Sequence, residues 1–231
     1  MGTLDKIIIV PGWTYSIDRW FNFKRILEKA GYDIETLSIP GLTTPSKKVW
    51  SLESYVDWLK QTLDKEGSKV VLVGHSSGGR IVLSYAAKYP DSLKKLVLID
   101  SAGIFHNELP TKLKRFVFKI FSKIGKKIGL FKNFRWVIYK LAREHDYEKA
   151  SLNMRKTMKN LIYSDLSPIL KEVKVPTLII WGEKDKITPL SDALVMKRDI
   201  KNSKLKIIKA ARHSPFYSHS KEAAKFLLEE I

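Results

Sequence analysis

An α/β protein is what this sequence predicts: a mostly parallel sheet of about six strands, helices on both faces, and a helical cap inserted before the penultimate strand. Three observations carry that expectation. Short apolar runs without polar alternation recur along the chain, as in strands buried on both faces of a parallel sheet. Between these runs, apolar residues fall at helical spacing. Once, between Ile104 and Pro168, the alternation stops and only helical periodicity remains.

Each element can be justified in order. The first strand, KIIIVPGW (6–13), leads to Trp20, Phe23, Ile26 and Leu27, an amphipathic helix ending at Gly31. The second, DIETLSIPGL (33–42), closes on a Pro-Gly turn and precedes a helix face of Leu52, Tyr55, Val56, Leu59 and Leu63. VVLV (70–73) opens the third, and Ile81, Val82, Tyr85 and Ala86 form the helix after it, closed by Pro90. KKLVLIDSAG (94–103), VPTLIIWGEKD (175–185) and KLKIIKAARHS (204–214) complete the sheet, and SKEAAKFLLEEI is a last amphipathic helix. The expected organisation is a core of residues 1–103 and 169–231 with a cap of residues 104–168.

A chain of 231 residues, 44% hydrophobic, can bury one sizeable core. No apolar run approaches the ~20 residues of a membrane span. MGTLDKIIIVPGW enters a strand almost at once, so no leader is expected and the cytoplasm is the expected compartment. With zero cysteines, disulfides and thiolate metal sites are excluded.

Between the third strand and its helix lies GHSSGGR (74–80). A glycine-rich turn of this kind can bind phosphate on helix N–H groups. A Walker loop, however, needs GxxxxGK[ST], and here Arg80 follows the glycines; GxGxxG is not spelled either. The stretch does spell GxSxG, a nucleophile elbow on Ser76, with small residues at 74 and 78 letting strand and helix pack closely.

A serine nucleophile needs a base, and the base needs an orienting carboxylate. Asp185 and His213 end later strands, giving the chain order Ser, Asp, His. Asp100, at the end of the strand after the elbow helix, and Glu183 compete for the acid, and His219 competes for the base. His106 and His145 read as structural or surface groups; so does His75, which also counts among the pocket residues. Two donors must face the developing oxyanion. Ser77 N–H is one, and Trp13 N–H the other, with Gly12 allowing the bend that aims it.

These motifs together resemble the α/β-hydrolase superfamily, in particular its small cap-bearing esterases, lactonases and C–C hydrolases. The resemblance runs through VPGW, SIPGL, GHSSGG, LVLIDSAG, VPTLIIWGEKDKITP and ARHSPF, nearly the whole chain. It implies a triad of Ser76, His213 and Asp185 under a cap, with no cofactor and no metal. Three features depart from the pattern. Pro11 stands where such proteins usually have His, Ser38 and Thr43 depart from the usual D-x-P-G-x-G-x-S stretch, and the first two strands usual in the fold are absent.

The reaction expected is hydrolysis of carboxylic esters, lactones included, through an acyl-enzyme. C–C or thioester cleavage on the same triad is the alternative, as is a ligand-binding or signalling protein with slow turnover. The expected pocket is lined by Gly12, His75, Phe116, Ile120, Ile124 and Trp136. Net charge is +18, and residues 111–160 hold 15 Lys and Arg against 3 Asp and Glu. A cap helix with a solvated basic face accounts for this excess; attraction to an anionic membrane surface and attraction of an acidic substrate are competing accounts. No base-reading module is present, so specific nucleic-acid binding is not expected.

Overall fold

Six parallel strands form one sheet in the computed structural model of the chain, which describes residues 5–14, 17–104 and 151–231. They are β1 (Lys6–Val10), β2 (Asp33–Thr36), β3 (Val70–His75), β4 (Leu93–Ile99), β5 (Thr177–Gly182) and β6 (Ser203–Ile208). Their order is β2-β1-β3-β4-β5-β6, and every neighbouring pair is parallel. β3 and β5 are buried along their full length, which explains their unbroken apolar sequences. The edge strands β2 and β6 carry Glu35, Lys204 and Lys206, charges that blunt an open edge. Lys6 reaches Glu35 at 2.8 Å, and Lys204 reaches Glu230 at 2.9 Å.

Strand alternation divides the sheet's apolar residues between two faces. Ile7, Ile9, Val71, Val73, Val97, Ile99, Leu178 and Ile180 pack in one cluster with Trp20, Phe23 and Leu27 of the first helical segment and Ala223, Ala224 and Leu227 near the C-terminus. The helices on that face are α1 (Phe21–Lys29) and α7 (Ser220–Leu228), with the short α6 (Pro215–Ser218) before it. The opposite face is covered by α2 (Leu52–Leu63), α3 (Ser77–Lys88) and α5 (Leu190–Asp199). α2 begins with a capping box in which Ser51 accepts from Ser54 N–H and Ser54 accepts from Ser51 N–H.

β1 and β3 are adjacent, but the chain leaves β1 toward one edge of the sheet and leaves β3 toward the other. Such a switch point opens a crevice at the carboxyl ends of the two strands. The loop Pro11–Trp13 and the turn at Ser76 both emerge there.

α4 (Leu152–Ile162) falls within the stretch expected to belong to the cap, yet it packs with the sheet-bearing unit, Met1–Ile104 with Ser151–Ile231. The cause is local bonding. Trp50 N–H donates to Thr157 Oγ1 at 2.9 Å, Asn160 Nδ2 donates to the Trp50 carbonyl at 3.0 Å, and Asn153 Nδ2 donates to the Lys47 carbonyl at 2.7 Å. Residues 105–150 lie outside the described residues, and with them the apolar stripe and most of the basic segment. Among the described residues, no helix is long and apolar enough to cross a membrane.

Candidate active site

Ser76 joins β3 to α3 with φ 50° and ψ −120°, a backbone conformation that costs free energy for any residue with a side chain. The turn exists because the chain around it lacks side chains. A Cβ on Gly74 would lie 2.2 Å from Val82 Cγ2, and one on Gly78 would lie 2.2 Å from the Val10 carbonyl oxygen. Gly79, which the sequence pattern did not single out, is equally constrained: its Cβ would lie 2.0 Å from Ser101 Oγ. α3 thus meets the end of β1 at backbone contact and packs closely on Ser101, just beyond β4, and Ser76 is held at the tip.

The three residues expected from chain order are brought together. His213 Nε2 lies 2.9 Å from Ser76 Oγ, and His213 Nδ1 lies 2.7 Å from Asp185 Oδ2. Asp185 Oδ1 accepts from Ile187 N–H at 2.7 Å and Thr188 N–H at 3.2 Å, while Oδ2 accepts from Thr188 Oγ1 at 2.7 Å. Burial pushes this carboxyl up, but the hydrogen bonds and charge of His213, then Thr188 and Ile187 N–H, outweigh it and hold Asp185 below the usual carboxylate range. The arrangement can take a proton from Ser76 and stabilise the imidazolium that results.

The competing groups are otherwise engaged. Glu183 Oε2 accepts from Ala210 N–H at 3.0 Å and so fixes the turn after β6. Asp100 Oδ1 accepts from Gly182 N–H at 2.8 Å. His219 stands at the start of α7 with Nδ1 2.9 Å from Ser218 Oγ.

Gly12 follows β1 closely enough that a Cβ there would lie 3.0 Å from Ser76 Cβ and 3.2 Å from His75 Nδ1. This brings the Pro11–Trp13 loop against the elbow. Ser77 is the first residue of α3, so its N–H is one of the four without an intrahelical acceptor. His75, expected to line the pocket, is buried between Trp20, Phe216 and His213, with ring centroids 6.1, 4.8 and 4.9 Å away. Its Nε2 donates to the His213 carbonyl at 2.8 Å, which steadies the backbone of His213. Desolvation, with the nearby His213 adding to it, pushes His75 down to about 3, so it is neutral at physiological pH.

One neighbour escaped the sequence reading. Ser77 Oγ donates to Met158 Sδ at 3.7 Å, so α4 stands beside the elbow. No local signal marks Met158; its position depends on the bonds between α4 and the 47–50 loop. Phe116, Ile120, Ile124 and Trp136 lie outside the described residues, as do His106 and His145. Among the described residues, one group has metal-ligand chemistry: His75, Asp100 and His213, with ligand atoms within 4.8 Å of one another. Both ring nitrogens of His213 are already committed to Ser76 and Asp185, an arrangement for proton transfer.

A family model described as serine aminopeptidase, S33, matches residues 4–219. The chain belongs to this family of α/β-hydrolases. Among curated relatives, lipase 3 of Moraxella sp. (strain TA144) is 25% identical over 96% of this chain and 76% of its own. The 2-hydroxy-6-oxo-6-phenylhexa-2,4-dienoate hydrolase of Burkholderia cepacia is 24% identical over 95% of this chain and 85% of its own. Among solved structures, an esterase from Exiguobacterium antarcticum superposes with a TM-score of 0.75 at 20% identity, covering 99% of this chain and 92% of that one. This α/β-hydrolase therefore has the six-stranded parallel sheet and the hydrolase membership that its motifs imply.

Proposed function

We propose that this α/β-hydrolase is a serine hydrolase of carboxylic esters, lactones among them. Ser76 Oγ attacks the carbonyl carbon as His213 Nε2 takes its proton. Asp185 holds the imidazole in register, and the N–H groups of Trp13 and Ser77 receive the oxyanion. The proton then passes from His213 to the leaving alkoxide, and water repeats the sequence on the acyl-enzyme. The observation that carries this reading is the unbroken hydrogen-bonded line from Asp185 through His213 to a serine held at positive φ. The likeness to a lipase supports an acyl substrate.

The test is a panel of nitrophenyl esters of increasing chain length with several lactones, and an aminoacyl nitroanilide to probe peptidase activity, run on the wild type and on Ser76→Ala. Loss of a triad nucleophile costs on the order of 10⁴–10⁶ in kcat, and a variant keeping a tenth of wild-type activity would refute the assignment. A second reading, C–C bond hydrolysis on the same residues, is favoured by the likeness to the dienoate hydrolase of Burkholderia cepacia. Turnover of such a dienoate with esters left untouched would select it.

A further inference from the structure

Asp100 ends β4 behind the proposed triad, and its surroundings are not those of a simple core residue. It is 0% exposed and holds φ 41°, a left-handed conformation. Its Oδ1 accepts from Gly182 N–H at 2.8 Å, and its main-chain carbonyl accepts from Thr188 Oγ1 at 3.2 Å. Its Oδ2 is buried and has no hydrogen-bond partner among the described residues. Within 4.8 Å of this carboxyl lie ring nitrogens of both His75 and His213. A buried carboxyl oxygen left unpaired beside the proposed base calls for an explanation.

We propose that Asp100 is a second counter-charge for His213, standing in reserve behind Asp185, and that it sustains part of the reaction when Asp185 cannot. The inference rests on the serine-hydrolase reading above. An anion within about 4–6 Å of an imidazole favours its protonated form without a direct hydrogen bond. When Ser76 Oγ gives its proton to His213 Nε2 and bonds the carbonyl carbon, an ionised Asp100 lowers the energy of the imidazolium. His213 then returns the proton to the leaving group.

Two carboxyls this close in a buried site do not both ionise readily. Burial first, then the charge of Asp185, push Asp100 well above the carboxylate range, with the Gly182 N–H pulling the other way. Asp185 is thus the member whose charged form is favoured, and Asp100 the one pushed toward its neutral form. Replacing Asp185 by Asn removes one of the two pushes, so Asp100 ionises more readily. Among the described residues, the titratable groups facing it are Asp185 beyond β5, His213 beyond β6 and His75 at the end of β3.

The bland account is that Asp100 merely ties Gly182 and Thr188 together. Asn at 100 keeps an acceptor for Gly182 N–H and tolerates positive φ, so the two accounts separate in kcat and KM against pH. The proteins are the wild type, D185N, D100N and the double variant, assayed on nitrophenyl butyrate. D185N should lower kcat by about 10²–10³, with KM moving far less, and its kcat should go on rising into the alkaline range where the wild type has levelled off. The double variant should lose at least a further factor of about ten and show no alkaline rise. A double variant with the kcat and pH profile of D185N would overturn the inference. Should Asp100→Asn fail to fold, D185N alone decides, because a flat alkaline profile also overturns it. Ser76→Ala separates the two levels: activity surviving in that variant sinks the hydrolase reading, whereas an inactive S76A beside an unchanged double variant sinks only the role of Asp100.

Discussion

Gly78→Ala tests whether backbone contact builds the elbow. The added Cβ would lie 2.2 Å from the Val10 carbonyl oxygen, 2.5 Å from that of Pro11 and 2.8 Å from Val10 C. All three atoms are main chain, in or just beyond a strand whose Val10 side chain is fully buried. No rotamer change relieves the overlap, so α3 must lift from β1 by the order of 1 Å. Overpacking of this kind costs roughly 1–3 kcal/mol, and the absence of any yielding side chain puts the expected loss at the upper end. The same shift moves Ser77 N–H and Ser76 Oγ relative to the Pro11–Trp13 loop, and a displacement near 1 Å can cost about 10² in rate. Urea titration and kcat/KM on one nitrophenyl ester measure both effects. Gly12→Ala is the internal control: its nearest contacts are at 3.0–3.2 Å, so its loss in stability should be smaller. Gly78→Ala with wild-type stability and rate would refute the contact argument.

Two other predictions concern the groups around the base. His75→Phe keeps an aromatic ring but removes the donor to the His213 carbonyl, which should cost about 1–3 kcal/mol and lower kcat more than it changes KM. The pH dependence of stability separates this role from packing. His75 has a folded-state value of about 3 against an ordinary 6.5, so its neutral burial costs nothing above about 6.5 and destabilises progressively as pH falls toward about 3. Urea midpoints should therefore show an acid limb that is shallower in His75→Phe, and identical limbs would contradict the assigned burial. Thr188→Val deletes the hydroxyl whose one proton lies between two acceptors, Asp185 Oδ2 at 2.7 Å and the Asp100 carbonyl at 3.2 Å. It should cost about 1 kcal/mol with a several-fold fall in kcat, read by the same urea and rate assays.

What the sequence disclosed follows the range of the interactions involved. Strands β3 and β5 were legible because burial on both faces removes polar residues from a contiguous run. Ser76 was legible because its strain must be relieved by small neighbours at fixed offsets, and Asp185 and His213 because the carboxyl ends of parallel strands are points that a strand pattern locates. Gly79 was passed over, since its need comes from Ser101 across the sheet. The packing of α4 with the sheet-bearing unit is equally hidden from the sequence. Helical spacing is the same for a helix on a cap and for α4, which Thr157 and Asn160 tie to the core. The partners of His75, the His213 carbonyl and the rings of Trp20 and Phe216, lie far from it in the chain, so its sequence neighbours do not announce them.

The same long-range bonds explain how loops can hold the proposed proton relay in place. Four side chains at the carboxyl edge of the sheet each bind the main chain of another segment. His75 binds His213, Asp100 binds Gly182, Glu183 binds Ala210, and Thr188 binds Asp100. Three of these bonds fix backbone at or near a proposed catalytic residue, and Thr188 also reaches Asp185 Oδ2 itself. A relay set this way needs little reorganisation when charge develops, and that is where electrostatic catalysis is most effective. It follows that loss of stability and loss of kcat should rise together across these four positions, with KM moving least. Polar substitutions on the exposed faces of α1 and α7, which bind no part of this edge, should change neither.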